Sequence, residues 1–205
     1  MRVTRLSICE LSIIIGFTIL WIPGFRGMYF LSDDFTHLQI WGVAPLNDVF
    51  KWFFNEYTGF YRPLTALLWK IYYSLWGMEA IGYRLSNLIL HMSCTIFLAA
   101  IGSILFPRNR TGLLSGLLFL FLPGNIFSVI NIANLTGLLC SFFVLSSLLL
   151  YIHGRLNNPG YRFASAGLFF GIVIFIKVLN KNLVVKLLEN NELYVVKNPK
   201  FLSLH

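Results

Sequence analysis

Two short polar segments contain the side chains of this sequence that are best suited to chemistry. The first, Leu31-Ser32-Asp33-Asp34-Phe35, carries a pair of carboxylates, and the second, Tyr61-Arg62-Pro63-Leu64, follows about thirty residues later with a guanidinium. A carboxylate can act as a general base toward a hydroxyl, and arginine binds phosphate through charge-assisted hydrogen bonds. Together the two segments are expected to form the two halves of one active site, with the acidic pair on one side and the arginine on the other.

The acidic pair is expected to begin a short helix. Ser32 is a suitable N-cap for a helix over 33–41, and acids in the first turn of a helix stabilise it, so capping alone is one explanation of both carboxylates. Neighbouring helical side chains point about 100° apart. Asp33 and Asp34 are therefore expected to differ, one as a cap and one at the site. His37 follows about one turn later and either shares this site or is a surface histidine with no catalytic role.

The arginine is expected to lie at the start of a second helix. Pro63 suits the first helical position and Gly77 suits the end, and apolar residues recur between them at helical spacing. The N-terminus of a helix favours anions because its first backbone N–H groups are unpaired. Arg62 is therefore a candidate to bind a phosphate. The alternative is that it pairs with a nearby acid or reaches toward lipid headgroups.

The composition is that of an integral membrane protein. Hydrophobic residues make up 57% of the chain and charged residues 12%, and the mean hydropathy is +0.73, whereas soluble domains have roughly 25% charged residues. The net charge of +8 does not indicate nucleic acid as a partner, because the basic residues are scattered singly between apolar runs. Cys9, Cys94 and Cys140 have no paired spacing, which argues against a disulfide framework or a cysteine metal site.

The apolar segments predict an all-α, polytopic membrane protein with about four to five transmembrane helices. The expected spans are 6–25, 85–107, a stretch at 111–154 that breaks at Pro123-Gly124 and again at 131–134, and a short segment at 163–176. Asn87 and His91 share one face of the second span, where a helix–helix hydrogen bond is favoured over ligand binding. Residues 1–176 form the expected membrane domain, and 177–205 form a polar tail.

A large loop, residues 26–84, separates the first two spans. It holds five acidic, five basic and sixteen aromatic residues, a composition suited to helices at the membrane surface. Arginines near 2–5, 108–110 and 155–162 are expected on the cytoplasmic side. The N-terminus is then cytoplasmic and the loop extracytoplasmic, in a plasma or inner membrane. The lysines after 176 do not fit this rule if 163–176 crosses, which leaves the orientation of the tail open.

The order of these elements resembles the N-terminal part of GT-C membrane glycosyltransferases. The resemblance rests on the first span, the acidic pair at the start of the outer loop, Tyr61-Arg62-Pro63-Leu64, and Asn87-Leu88-Ile89-Leu90-His91 in the second span, and it covers roughly 11–175. It points to the branch of protein O-mannosyltransferase-like and lipid A aminoarabinose transferase-like enzymes. These have many more spans, so the resemblance implies a truncated member. At Ala133-Asn134-Leu135-Thr136-Gly137-Leu138 this chain lacks the arginine and acid that such enzymes tend to carry, which weakens the expectation of a role for that turn.

What the resemblance implies is transfer of a sugar from a polyprenyl-phosphate donor to an acceptor hydroxyl on the extracytoplasmic face. Asp33 matches the base of such enzymes and Asp34 the acid beside it, so both are candidate catalytic residues, with Asp34 as a cap or helper. Arg62, Tyr61 and His37 are the candidate substrate-binding residues, and Arg62 is expected to stabilise the departing phosphate. No third carboxylate completes an oxygen-rich shell, so no metal or other cofactor is expected. The expected partners are membrane lipid and the lipid-linked donor.

Two other classes of function remain open. In an inactive fragment or non-catalytic membrane scaffold, the acids only cap helices and the aromatic residues only anchor the loop. A transporter is expected to show matched broken helices in two inverted halves. This sequence has one broken helix, at Pro123-Gly124, and no second half. The sugar and the acceptor are not defined by the sequence.

Overall fold

The computed structural model describes residues 7–51, 62–106, 110–156 and 164–165. All regular structure in these ranges is helical, as the sequence predicts. The eight α-helices are α1 Ile8–Ile19, α2 Ser32–His37, α3 Leu46–Lys51, α4 Pro63–Trp76, α5 Ala80–Leu105, α6 Thr111–Phe121, α7 Pro123–Ile130 and α8 Leu135–Leu156. Short 3₁₀ turns cover Ile22–Phe25 and Ile132–Asn134, and a π-helical turn, Leu38–Gly42, continues α2.

Three segments of the described chain are long and apolar enough to cross a membrane. They are Ile8–Phe25, Ala80–Leu105 and Ile132–Gly154, and a fourth span exists if α6 and α7, which meet at a bend of 55°, form one broken span. The break lies at Pro123, where the sequence predicts it, because proline removes a backbone donor and clashes with the preceding turn. The segment at 163–176 and the tail at 177–205 fall outside the described residues, apart from 164–165.

Helix α5 is the centre of the bundle and contacts α1, α4, α6, α7 and α8. Its contact with α6 is the closest because small residues face each other there. A Cβ built on Gly112 of α6 would lie 1.8 Å from the Ser103 hydroxyl and 2.6 Å from the Ala99 carbonyl oxygen of α5. A Cβ on Gly116 would lie 3.0 Å from the Ala99 Cβ. The absence of side chains at these glycines therefore sets the distance between the two helices.

The outer part of the fold is built on α4, which has the predicted bounds. Pro63 occupies the first helical position, and Gly77 ends the helix with a φ of 55°, a conformation that favours glycine. Lys70 fastens α4 to the end of the π-helical turn, since its ammonium donates to the carbonyls of Gly42 at 2.9 Å and Ala44 at 2.5 Å. The Gly42 carbonyl ends the π-helical turn and the Ala44 carbonyl follows it, so neither has a partner within a helix and the lysine supplies one.

Two predicted boundaries were wrong. Ser32 is the first residue of α2 and Leu31 is its N-cap, because the Asp34 carboxylate accepts the Leu31 backbone N–H and so takes over the capping role. The second span begins at Ala80 and not at 85, which places Arg84 inside α5 and not in the loop. In the sequence, the charge of Arg84 predicts the end of an apolar run, but hydrogen bonds to backbone carbonyls replace water around the guanidinium inside the fold.

Candidate functional site

Asp34 is completely buried, and both of its carboxylate oxygens accept backbone hydrogen bonds. Oδ2 accepts from the Leu31 N–H at 2.9 Å, and Oδ1 accepts from the Ala133 N–H at 2.7 Å. The second bond joins residues 99 positions apart in the sequence and fixes the start of the outer loop to the turn before α8. Buried carboxylates persist only when such donors replace water. Asp34 therefore has a structural role, because it connects the start of α2 to the turn before α8.

Asp33, the preceding residue, is exposed. The two side chains diverge as expected for neighbours in a helix, so one carboxylate is enclosed while the other faces outward. The first turn of α2 thus presents one accessible acid on a backbone that the other acid fixes. Whether either residue acts in catalysis stays a prediction, and the geometry leaves Asp33 the better placed of the two to meet a substrate.

His37 links the acidic pair to Arg62. Its ring lies edge-on to Trp41, with centroids 4.5 Å apart, and to Trp69, with centroids 5.5 Å apart. Burial lowers the pKa of His37 and the positive charge of Arg62 lowers it further, while the charges of Asp34 and Asp33 oppose these effects. His37 is consequently neutral near pH 7. His37 therefore lies within electrostatic range of Arg62 and of both acids. That these residues form one site stays a prediction, and Tyr61 lies outside the described residues.

The N-termini of α4 and α8 meet beside this group. The Thr65 and Thr136 hydroxyls lie 3.2 Å apart and share a hydrogen bond, although 71 residues separate them. Arg62 is the N-cap residue of α4 and is half-buried. Helix N-termini carry partial positive charge. Two such ends and one guanidinium are therefore close together, which makes this edge of the fold electropositive next to the acids.

Arg84 is the important residue that sequence reasoning missed. It is 1% exposed, and its guanidinium donates to three backbone carbonyls: Nε to Ile130 at 3.1 Å, Nη1 to Met28 at 2.8 Å and Nη2 to Tyr29 at 2.6 Å. The sequence feature that could have revealed it is its spacing from Asn87, which lies one turn later on the same face of the helix. Polar and charged residues that share a face of a span usually point into the bundle. Arg84 joins the outer loop to the end of α7.

The two polar residues on α5 differ in their contacts. The His91 Nε2 lies 3.4 Å from the Leu120 carbonyl oxygen of α6, which confirms the predicted contact between helices. Its ring is stacked between Trp21 and Phe119, at centroid distances of 5.6 and 5.2 Å. Asn87 is completely buried, and within the described chain neither atom of its amide has a hydrogen-bond partner. The expectation of a helix–helix hydrogen bond is thus met by His91 and not by Asn87.

The turn at 133–138 was expected to have little role because its side chains depart from those of the enzymes that the chain resembles. That expectation concerns function and stays a prediction, whereas in the structure the segment makes two contacts. The backbone N–H of Ala133 binds Asp34, and Thr136 binds Thr65. A backbone donor works with any side chain except proline, so a change of side chains does not remove this contact. Among the residues in the described ranges, no three His, Cys, Asp or Glu side chains cluster as metal ligands.

Comparison with known proteins agrees with this arrangement of elements. The chain is similar to protein O-mannosyl-transferases. It is 31% identical to human TMTC4 over 132 residues, 25% identical to human TMTC3 over 165 residues, and 29% identical to Xenopus laevis tmtc2 over 153 residues. These matches cover 58%, 74% and 68% of the chain, but only 17%, 18% and 18% of the relatives.

The chain therefore spans less than a fifth of the length of these curated relatives. No family model matches it, and no solved structure matches it. The similarity supports the glycosyltransferase resemblance read from the sequence. The similar proteins that it identifies are O-mannosyl-transferases. The likeness to aminoarabinose transferases stays a prediction.

Proposed function

We propose that this chain is a membrane glycosyltransferase, which moves a sugar from a polyprenyl-phosphate donor to an acceptor hydroxyl group on the extracytoplasmic face. The observation that carries the proposal is an exposed carboxylate, Asp33, on a helix whose start is fixed by a buried one, Asp34. Arg62 and His37 lie in the same electrostatic neighbourhood. The names of the similar proteins supply mannose as the first sugar to test.

In the proposed reaction, Asp33 removes the proton from the acceptor hydroxyl. The oxygen attacks the anomeric carbon of the sugar from the face opposite the lipid phosphate, the bond between that carbon and the phosphate oxygen breaks, and the phosphate leaves with the bonding electron pair. Inversion of the anomeric carbon follows from this geometry. An exposed carboxylate on a fixed backbone suits the base, because the acceptor must reach it while the group itself stays in one place.

Arg62 is the proposed partner of the departing polyprenyl phosphate. Negative charge grows on the phosphate oxygens as the bond to the sugar breaks, and positive groups already in position stabilise that charge most effectively. Arg62 supplies a guanidinium, while the N-termini of α4 and α8, joined through Thr65 and Thr136, supply oriented backbone N–H groups. His37, neutral near pH 7, packs against the indoles of Trp41 and Trp69 and would adjoin the bound phosphate.

Replacing Arg62 by Ala tests this assignment. Loss of a charge-assisted hydrogen bond is expected to lower kcat/KM for a polyprenyl-phosphate mannose donor by about ten- to a hundredfold, corresponding to about 1.5–3 kcal/mol. Steady-state transfer to a hydroxyl acceptor, in membranes that contain the chain, measures the effect. Lys51→Ala is the matched control, because Lys51 is an exposed cation whose partner is Asp48, 2.7 Å away. A loss of thermal stability in Arg62→Ala with no change in kcat/KM for the donor would assign Arg62 a structural role.

We also propose that the N-terminus is cytoplasmic and that the loop with the acidic pair faces the extracytoplasmic side of a plasma or inner membrane. The arginines near 2–5, 108–110 and 155–162 favour this orientation. In a variant without the native cysteines, Asp48→Cys is expected to react with a membrane-impermeant maleimide added to intact cells, since Asp48 is partly exposed. Labelling only after the membrane is opened would reverse the orientation.

A further inference from the structure

Two buried charges of opposite sign lie at the base of the outer loop. Arg84 is 1% exposed and Asp34 is 0% exposed. The two side chains interact electrostatically. Their hydrogen bonds, however, are to backbone groups: Arg84 donates to three carbonyls, and Asp34 accepts from two N–H groups. Arg84 comes from a membrane span and Asp34 from the loop, so the arrangement connects elements that are distant in the sequence.

Both residues join the same two pieces of backbone. We define the outer segment as residues 28–31 and the α7–α8 turn as residues 130–133. Arg84 donates to two carbonyls of the outer segment and one of the turn. Asp34 accepts one N–H from the outer segment and one from the turn. Arg84 thus binds three backbone acceptors of these two segments, and Asp34 binds two of their backbone donors.

The backbone groups bind these two ions because they lack partners in regular helices. The outer segment is not part of a regular helix, and the Ile130 carbonyl is the last of α7, so these groups have no partner in a helix ladder. Buried ions are costly unless they are hydrogen-bonded, and these backbone groups are free to supply the bonds. The backbone groups and the two ions therefore satisfy one another. Removal of either ion leaves the backbone groups that it bound without hydrogen-bond partners. It also leaves the other buried ion without a nearby opposite charge.

We propose that Arg84 and Asp34 act as one positioning device, in which the two buried ions lock the outer segment to the α7–α8 turn and so fix the location of Asp33. Asp33 immediately precedes Asp34 and is two residues after the outer segment. Its carboxylate can be placed reproducibly against an acceptor only if that segment does not move. Arg84 is then a positioning residue that never touches substrate. The functional part of this inference rests on the proposed sugar transfer, while the mechanical part does not.

Amide hydrogen exchange tests the mechanical part without any assay of activity. The chain is placed in lipid nanodiscs, and exchange at the Leu31 and Ala133 amides is followed by mass spectrometry with residue-level fragmentation. Both amides are bonded to Asp34 and neither is bonded to Arg84. If the two ions act as one device, Arg84→Met should accelerate exchange at both amides in parallel, by about tenfold or more. Unchanged exchange at both amides would overturn the proposal.

Two further variants keep the result interpretable. Arg26→Met is the matched control, because Arg26 is an exposed cation near the same segment, and its variant should leave exchange at both amides unchanged. Arg84→Lys keeps the charge but cannot present the planar guanidinium that reaches three carbonyls. Should Arg84→Met fail to fold, Arg84→Lys, Asp34→Asn and the double variant complete a cycle. Additive effects of the two single changes on unfolding would show independent roles and contradict the device.

Sugar transfer tests the functional part. Arg84→Lys should lower kcat by about tenfold or more while the KM for donor changes little, because a displaced base slows the chemical step without removing a contact to the donor. A rise in donor KM at constant kcat would contradict positioning of Asp33. If the unmodified chain shows no transfer, the proposed function fails, and the exchange experiment still decides whether Arg84 and Asp34 act together.

Discussion

Replacing Asp33 by Asn should reduce sugar transfer by about a hundred- to ten-thousandfold, the range by which a positioned general base accelerates proton transfer. Asparagine has nearly the same shape as aspartate but does not accept a proton near neutral pH. Asp33 is exposed at the first turn of α2, so its amide has no packing to disturb. Transfer from polyprenyl-phosphate mannose to a hydroxyl acceptor, measured in membranes from cells that express each variant, gives the ratio of rates.

The comparison that isolates the base is with Asp48→Asn. Asp48 is also an acid of the outer loop and its side chain is 39% exposed, but it forms a surface ion pair with Lys51. Surface ion pairs contribute little to stability, so this variant should fold and transfer sugar as the unmodified chain does. Equal transfer by Asp33→Asn and the unmodified chain would exclude Asp33 as the base, whereas the absence of transfer by both would favour the non-catalytic scaffold that the sequence left open.

The features that sequence reasoning predicted correctly depend on local rules. Helix α4 begins at Pro63 and ends before Gly77 because those residues satisfy the requirements of a first helical position and of a positive φ. The different surroundings of Asp33 and Asp34 follow from the 100° between neighbours in a helix. The bend at Pro123 follows from the missing donor of proline. None of these inferences needs knowledge of a distant residue.

The features that were missed depend on contacts with backbone atoms far away in the sequence. Asp34 binds the N–H of a residue 99 positions later, and Arg84 binds carbonyls 46, 55 and 56 positions away. Every residue has a carbonyl and almost every residue has an N–H, so such partners leave no side-chain pattern to read. A charge inside an otherwise apolar helix was the available clue. It indicates that partners exist without indicating which ones.

The same reasoning explains why the departure at 133–138 from the enzymes that the chain resembles did not remove the turn from the site. The turn acts through the Ala133 N–H and the Thr136 hydroxyl. A missing arginine and acid alter what the turn can bind, but they do not alter where α8 begins. The position of the acidic pair and its proposed chemistry are therefore separable, and the exchange and transfer experiments address them one at a time.

Replacing Gly112 by Ala should destabilise the bundle, although alanine is the better helix former. The new Cβ would lie 2.6 Å from the Ala99 carbonyl oxygen and 1.8 Å from the Ser103 hydroxyl. The hydroxyl can rotate away, but the carbonyl belongs to the backbone of α5, so the helices must separate. Overpacking costs about 1–3 kcal/mol, and the gain in helix propensity offsets at most about 1 kcal/mol of that. Thermal unfolding in detergent should show a lower midpoint than for the unmodified chain.

Gly16→Ala separates the steric effect from the propensity effect. Gly16 also lies inside a spanning helix, α1, but a Cβ built there has no atom within 4 Å. Its substitution should leave stability unchanged or raise it by up to about 1 kcal/mol. Opposite signs for the two variants would show that α5 and α6 are held together by backbone approach. An equal fall of the unfolding midpoint in both variants would mean that alanine destabilises the helix that contains it, and not the contact between helices. The close α5–α6 contact would then not be what orients α5, and with it Arg84, toward the outer loop.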